Sequence, residues 1–305
     1  MALEDVTKTE LYSKIVDRRS FVTGIGIAGI GAAAVGLAGC GSGYSSMTSA
    51  MAQSASADTA QNIFTAALIA EDLAVTMYYN ALIGGVIQDP NLAGSGGTAT
   101  SVTASGSVAN VGYLRGALSE EISHAALLRS VLNISASTSD PVQTFYFPTG
   151  TFDNLTNFFP VLIALETAFV AAYMTAVQEF SLMIGNVSPY TSSQMSASGQ
   201  AYTATQLASF AKISAAILGV EAEHRTLARA IPPPPTFNGV SVLPSDNVCY
   251  ESTDSLQSVY TGMSSAAAAL QPFLTQGSGT TAFSFQTALS KAAGVQLACT
   301  GMPPM

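Results

Sequence analysis

Glu121-Ile122-Ser123-His124, within Leu118-Ser119-Glu120-Glu121-Ile122-Ser123-His124-Ala125, and Glu221-Ala222-Glu223-His224, within Ile217-Leu218-Gly219-Val220-Glu221-Ala222-Glu223-His224, hold both histidines of this 305-residue chain. Each histidine follows a glutamate by three positions. On a helix that spacing stacks carboxylate and imidazole on one face, one turn apart, where both can grip one metal ion. The chain has ten glutamates in 305 residues. A chance glutamate three positions before a given histidine therefore has a probability of about 3%, and two such accidents are on the order of one in a thousand.

The flanking residues place both motifs on apolar stripes. Leu114, Ala117, Leu118, Glu121, His124, Ala125 and Leu128 have the periodicity of a helix from about Val111 to Leu132. Phe210, Ser214, Ile217, Glu221, His224 and Ala228 mark a second, from about Ala201 to Ile231, ended by Pro232 to Pro235. Two more stripes carry a lone glutamate each. One is Phe64, Ala67, Leu68, Glu71, Ala74, Val75 and Tyr78, after a capping box of Asp58 and Gln61. The other is Leu162, Glu166, Phe169, Val170, Tyr173 and Val177, on a helix from near Asp153 to about Ile184. Polar loops separate the four helices. They are a Gly/Ser/Thr-rich stretch over 88–108, a segment with Pro141, Pro148 and Gly150, and residues 185–200.

The two halves form an internal repeat. Glu71 and Glu166 are each followed seven residues later by a tyrosine, Tyr78 and Tyr173. Each Glu-x-x-His is followed at matching offsets by a leucine and an arginine, Leu127 with Arg129 and Leu227 with Arg229. Such pseudo-symmetry suits two metal ions at the midline of a bundle. Charge leads to the same set. Four carboxylates converging in an apolar core would each cost several kcal/mol if unpaired. Two divalent ions neutralise Glu71, Glu121, Glu166 and Glu221, and the imidazoles of His124 and His224 complete the ligands. Mixed carboxylate and imidazole ligation suits iron, manganese or zinc. Tyr78 and Tyr173 are candidates for hydrogen bonds to the ligand carboxylates; the alternative is plain core packing. Glu120 and Glu223 read as solvated face residues.

The whole chain is 48% apolar and 10% charged with a net charge of −9. It can bury a large core, and with no basic cluster after the leader it does not fit nucleic acid as a partner. Residues 1–39 read as an export signal. Asp17-Arg18-Arg19-Ser20-Phe21-Val22 resembles a twin-arginine motif, and Leu37-Ala38-Gly39-Cys40 resembles a bacterial lipobox, which implies a lipidated Cys40 as membrane anchor. A transmembrane segment is the alternative. Residues 40–57 are a charge-free tether. Cys249 and Cys299 are a candidate disulfide in an oxidising compartment, or two buried thiols. Residues 236–305 read as an extension of two short helices, one from Asp254 to about Leu270 and one over Ala282 to Leu297.

Residues 58–235 read as one four-helix domain, and about 58–231 of it, with the order Glu, Glu-x-x-His, Glu, Glu-x-x-His, resemble the ferritin-like superfamily. Glu221 to Arg229 resembles its branch of desiccation-related and exported bacterial proteins. The resemblance implies an all-α protein, a ferritin-like antiparallel four-helix bundle with a helical C-terminal extension. It implies two divalent ions, iron by preference and manganese or a mixed pair as alternatives. Glu71, Glu121 and His124 would serve one ion, and Glu166, Glu221 and His224 the other, with Glu121 and Glu221 bridging. The implied chemistry is Fe(II) oxidation or peroxide detoxification with a small oxidant as substrate, in a periplasmic or cell-surface lipoprotein exported by the twin-arginine route. Two alternatives stand beside it: a di-manganese catalase-like enzyme, and a non-enzymatic structural or desiccation-protective protein. The oligomeric state is left open.

Overall fold

Thr59, not Asp58, starts the first helix. Its hydroxyl accepts from the backbone N–H of Asn62 at 3.1 Å, so the capping box expected of Asp58 and Gln61 is replaced by a threonine cap one residue later. Helix α1 (Ala60–Ile83) follows, then a 3-10 turn over Gly85–Gln88. Helix α2 covers Ala109–Val131, and strand β1 covers Thr144–Pro148. Helices α3 (Leu155–Ile184) and α4 (Ala204–Ala230) come next, then a short α5 (Gln271–Leu274), strand β2 (Thr280–Ser284) and α6 (Phe285–Ala292). This computed structural model describes residues 58–88, 109–186, 201–230 and 270–292. Cys40, Cys249 and Cys299, the signal, the tether and the expected helix from Asp254 lie outside them.

The protein is mostly helical, and two apolar clusters fix how the long helices run. Phe64 and Leu68 from the start of α1 share one cluster with Leu128 from the end of α2 and Leu132 just past it. Met77 and Tyr78 from the end of α1 share the other with Leu114 and Leu118 from the start of α2. These two helices are therefore antiparallel. By the same test Leu162 of α3 lies in the second cluster and Phe180 in the first, while Leu207 of α4 lies in the first and Ala228 in the second. Hence α1 and α4 point one way, and α2 and α3 the other. The α2–α3 connection must run from one end of the helices to the other.

That crossover is anchored at both ends. Arg129 donates to the carbonyls of Ser135 at 2.7 Å and Thr138 at 2.8 Å and pairs with the buried Asp140. At the far end Val86 N–H donates to the Phe152 carbonyl at 3.2 Å. A Cβ on Gly84 would meet that same carbonyl oxygen at 2.7 Å, so glycine is needed where α1 hands over to the crossover.

The chain is not purely α-helical. β1 pairs antiparallel with β2, Thr144 opposite Ser284 and Pro148 opposite Thr280. β1 alternates Phe145 and Phe147, both fully buried, with half-buried Thr144 and Tyr146, as a one-sided strand must. The helix expected over Ala282 to Leu297 begins only at Phe285, because Thr280–Ser284 is taken by the strand. Phe285, Ala288 and Ala292 of α6 are buried and join the cluster of the second half of α1. This explains why α1 is apolar on nearly every side. By length and composition α1 and α3 could each cross a membrane, yet each buries a glutamate, Glu71 or Glu166, in the interior.

Candidate metal centre

Between the two apolar clusters lies one polar layer. Glu71 follows Leu68 of the first cluster on α1, and Glu121 sits between Leu118 and Ala125 on α2. Glu166 precedes Phe169 on α3, and Glu221 follows Ile217 on α4. The helical period that fills the clusters also turns these four carboxylates inward. Glu121, Glu166 and Glu221 are fully buried, Glu71 is 2% exposed, and the side chains of His124 and His224 are 12% and 2% exposed.

The six side chains form two overlapping groups. Glu71, Glu121, His124 and Glu221 are one, and Glu121, Glu166, Glu221 and His224 the other. In each, one potential ligand atom per residue lies within 4.8 Å of all the rest. Glu121 and Glu221 belong to both. His124 Nδ1 is 3.3 Å from Glu71 Oε2, Glu121 Oε2 and Glu221 Oε1, three oxygens from three helices. One ring nitrogen has one lone pair or one proton and cannot satisfy three acceptors at once. His224 Nδ1 lies 3.0 Å from Glu121 Oε1, but the two do not align as a hydrogen bond. Glu166 Oε2 and both Glu221 oxygens have no hydrogen-bond partner either. Buried polar atoms are rarely left so. Several of them facing one another fit a shared cation, and this buried Glu/His group could hold a metal ion.

The tyrosines reach across the layer. Tyr78 of α1 donates to Glu166 Oε1 of α3 at 2.6 Å, and Tyr173 of α3 donates to Glu71 Oε1 of α1. Each therefore holds the glutamate of the opposite helix, not the one seven residues before it. Sequence reasoning missed two neighbours. Tyr113 donates to the His224 backbone carbonyl at 2.9 Å and lies 3.2 Å from the Tyr78 hydroxyl. Glu120, read from sequence as a solvated face residue, is 47% exposed but has its Oε2 2.7 Å from His224 Nε2. The doubled Glu120-Glu121 was the available signal. Glu223 is exposed.

Electrostatics follow from burial. Loss of water pushes the Glu71 and Glu166 carboxyls well above the usual range, and the Glu221 and Glu121 charges add to it. Burial also disfavours charge on both imidazoles. The Glu71 charge and the nearby Glu121 and Glu221 carboxylates outweigh it at His124, and the nearby Glu120, Glu121 and Glu221 carboxylates do so at His224, so both lie well above an ordinary histidine. Glu121 is held below the carboxylate range: the close approach of Glu71, His124 and His224 overcomes its burial. Burial likewise raises the Tyr78 and Tyr173 phenols, helped by Glu166 and Glu71.

Comparison of the chain with protein families, with characterised proteins and with solved structures finds no match.

Proposed function

We propose that this protein is a ferritin-like four-helix bundle that holds two divalent ions, iron, and uses them to oxidise Fe(II) or remove peroxide. The observation that carries this reading is the polar layer itself: six buried ligand side chains from four helices, with orphaned atoms facing a common centre. The helix directions support it, because one long crossover between the second and third helices is the connectivity of ferritin-like folds. Glu71 and His124 would hold one ion, Glu166 and His224 the other, and Glu121 and Glu221, which belong to both groups, would be shared. Bound as a pair, the ions would supply two reducing equivalents to oxygen or peroxide. The chain's own part is to neutralise and fix them. Four carboxylates balance four positive charges, Tyr78 and Tyr173 hold the outer carboxylates, and the apolar clusters on both sides exclude water.

The leader motifs at Arg18-Arg19 and Leu37 to Cys40 support an exported lipoprotein. Mass spectrometry of native protein tests this, with a lipidated Cys40 at its N-terminus as the expected result.

The metal reading is tested by anaerobic titration of the full chain with Fe(II), followed by oxygen or peroxide. Two ions per chain and rapid oxidation are expected, both lost in a His124→Ala/His224→Ala double variant. Two equivalents retained by that variant would overturn the ligand assignment. Peroxide removal with manganese and none with iron would replace this reading by a catalase-like one. Tightly held metal without turnover would favour a structural role.

A further inference from the structure

The internal repeat pairs Glu121 with Glu221, His124 with His224, Glu71 with Glu166 and Tyr78 with Tyr173. Among the positions where the two halves differ, two bear on the histidines. Val220 stands where Glu120 has its counterpart, and Ile213 where Tyr113 has its own. Both odd residues converge on the same histidine. Glu120 Oε2 lies 2.7 Å from His224 Nε2, and Tyr113 donates to the His224 carbonyl at 2.9 Å. The Tyr78 ring meets the His224 ring edge-on with centroids 5.8 Å apart, and its hydroxyl holds Glu166, the other ligand of that half. The His224 half is thus braced by Glu120, Tyr113 and Tyr78. On the opposite half Tyr173 bonds Glu71, a valine replaces the carboxylate, and the His124 ring is more open to solvent, 12% against 2%.

We infer that Glu120 is a positioning residue that ranks the two metal positions. The inference rests on the two-ion reading above. A carboxylate facing Nε2 keeps the proton on that nitrogen, turns the ring, and leaves the Nδ1 lone pair for the metal. Nδ1 is the atom that faces Glu121 and Glu221. The negative charge of Glu120 also makes the imidazole a stronger donor to a cation. The His224 position therefore fills first and retains its ion. The His124 position, with a neutral side chain at the repeat-related place and a more exposed ring, fills second and exchanges.

The test is a titration of metal-free full-length protein with Co(II) alone, competed against a chromophoric chelator. The exchangeable imidazole proton of the first-filled site is followed by paramagnetic NMR. Wild type should take two ions in two separable steps. His224→Ala should remove the tight step and keep the weak one. Glu120→Leu should weaken the tight step about 10- to 100-fold, leave the weak step unchanged and abolish the slowly exchanging proton signal. Glu120→Gln keeps an acceptor oxygen and should restore that proton signal and much of the affinity. Glu120 is half-exposed, so its variants should fold, and circular dichroism of the metal-free forms checks this. Equal affinity of the two wild-type steps would overturn the ranking. So would a Glu120→Leu variant that alters neither step, or both alike, or a Glu120→Gln variant no better than Glu120→Leu. A wild type that binds fewer than two ions would instead remove the two-ion reading on which this one stands.

Discussion

Tyr78 and Tyr173 show what a single side chain contributes here. Each supplies one hydrogen bond to a buried glutamate on another helix, and its removal leaves a carboxylate oxygen without a partner. Tyr173→Phe should weaken metal binding about 10-fold at the position that uses Glu71, read by chelator competition; unchanged affinity would mean that the bond only packs the core. Protonation gives a second prediction. Glu71, Glu166, His124 and His224 all hold their protons more tightly than usual. Metal must displace those protons, so loading should release them and apparent affinity should rise with pH. Calorimetry in two buffers of different ionisation enthalpy measures the release, and identical heats would contradict it. The sequence made the six ligands visible because each breaks the apolar stripe of its own helix. Glu120 and Tyr113 were not visible, because what gives them meaning is a residue on a different helix, His224.

At the level of helices and strands, periodicity read the four long helices well, since each buries a regular face. Their ends depended on local chemistry: the Thr59 cap in place of Asp58, and Asn133 with positive φ just past α2. The strands were hidden. Thr144–Pro148 is short and lies among prolines and glycine, and its partner is remote in sequence, so no local signal separates it from a loop. Gly84 marks where this level is most sensitive. A methyl group there would press on the Phe152 carbonyl, and relief requires a backbone shift. Gly84→Ala should cost about 1–3 kcal/mol and lower the thermal midpoint by several degrees; an unchanged midpoint would show that the crossover yields freely. Arg129 is the matching anchor at the other end. Arg129→Met would strand the buried Asp140 without its partner, at a cost of about 3 kcal/mol, measurable by denaturant unfolding.

For the molecule as a whole, the proton-holding layer sets how stability varies with pH. The folded-state pKa values of Glu71, Glu166, His124 and His224 are raised. Their contribution is therefore complete below the unfolded values and is lost as pH rises through the folded ones. Glu121 is shifted the other way, so its contribution is present above the ordinary carboxylate range and is lost progressively as pH falls below it. Metal-free protein should thus melt at a lower temperature at pH 8.5 than at pH 5.5, and divalent metal should reverse the order. A metal-free midpoint that climbs with pH would refute this account.

The pairing of β1 with β2 has one more consequence, which concerns time. A ribosome delivers position 144 long before position 284. While the chain is being made, the crossover is an unpaired edge whose inward phenylalanines, Phe145 and Phe147, lack the covering that β2 and α6 later bring. Such an edge recruits other strands. A chain stopped before Leu270 should bind an apolar-sensing dye and precipitate at concentrations where the full chain stays clear, and supplying residues 270–292 as a separate peptide should rescue it. Assembly of this molecule would then wait on the arrival of residues 270–292.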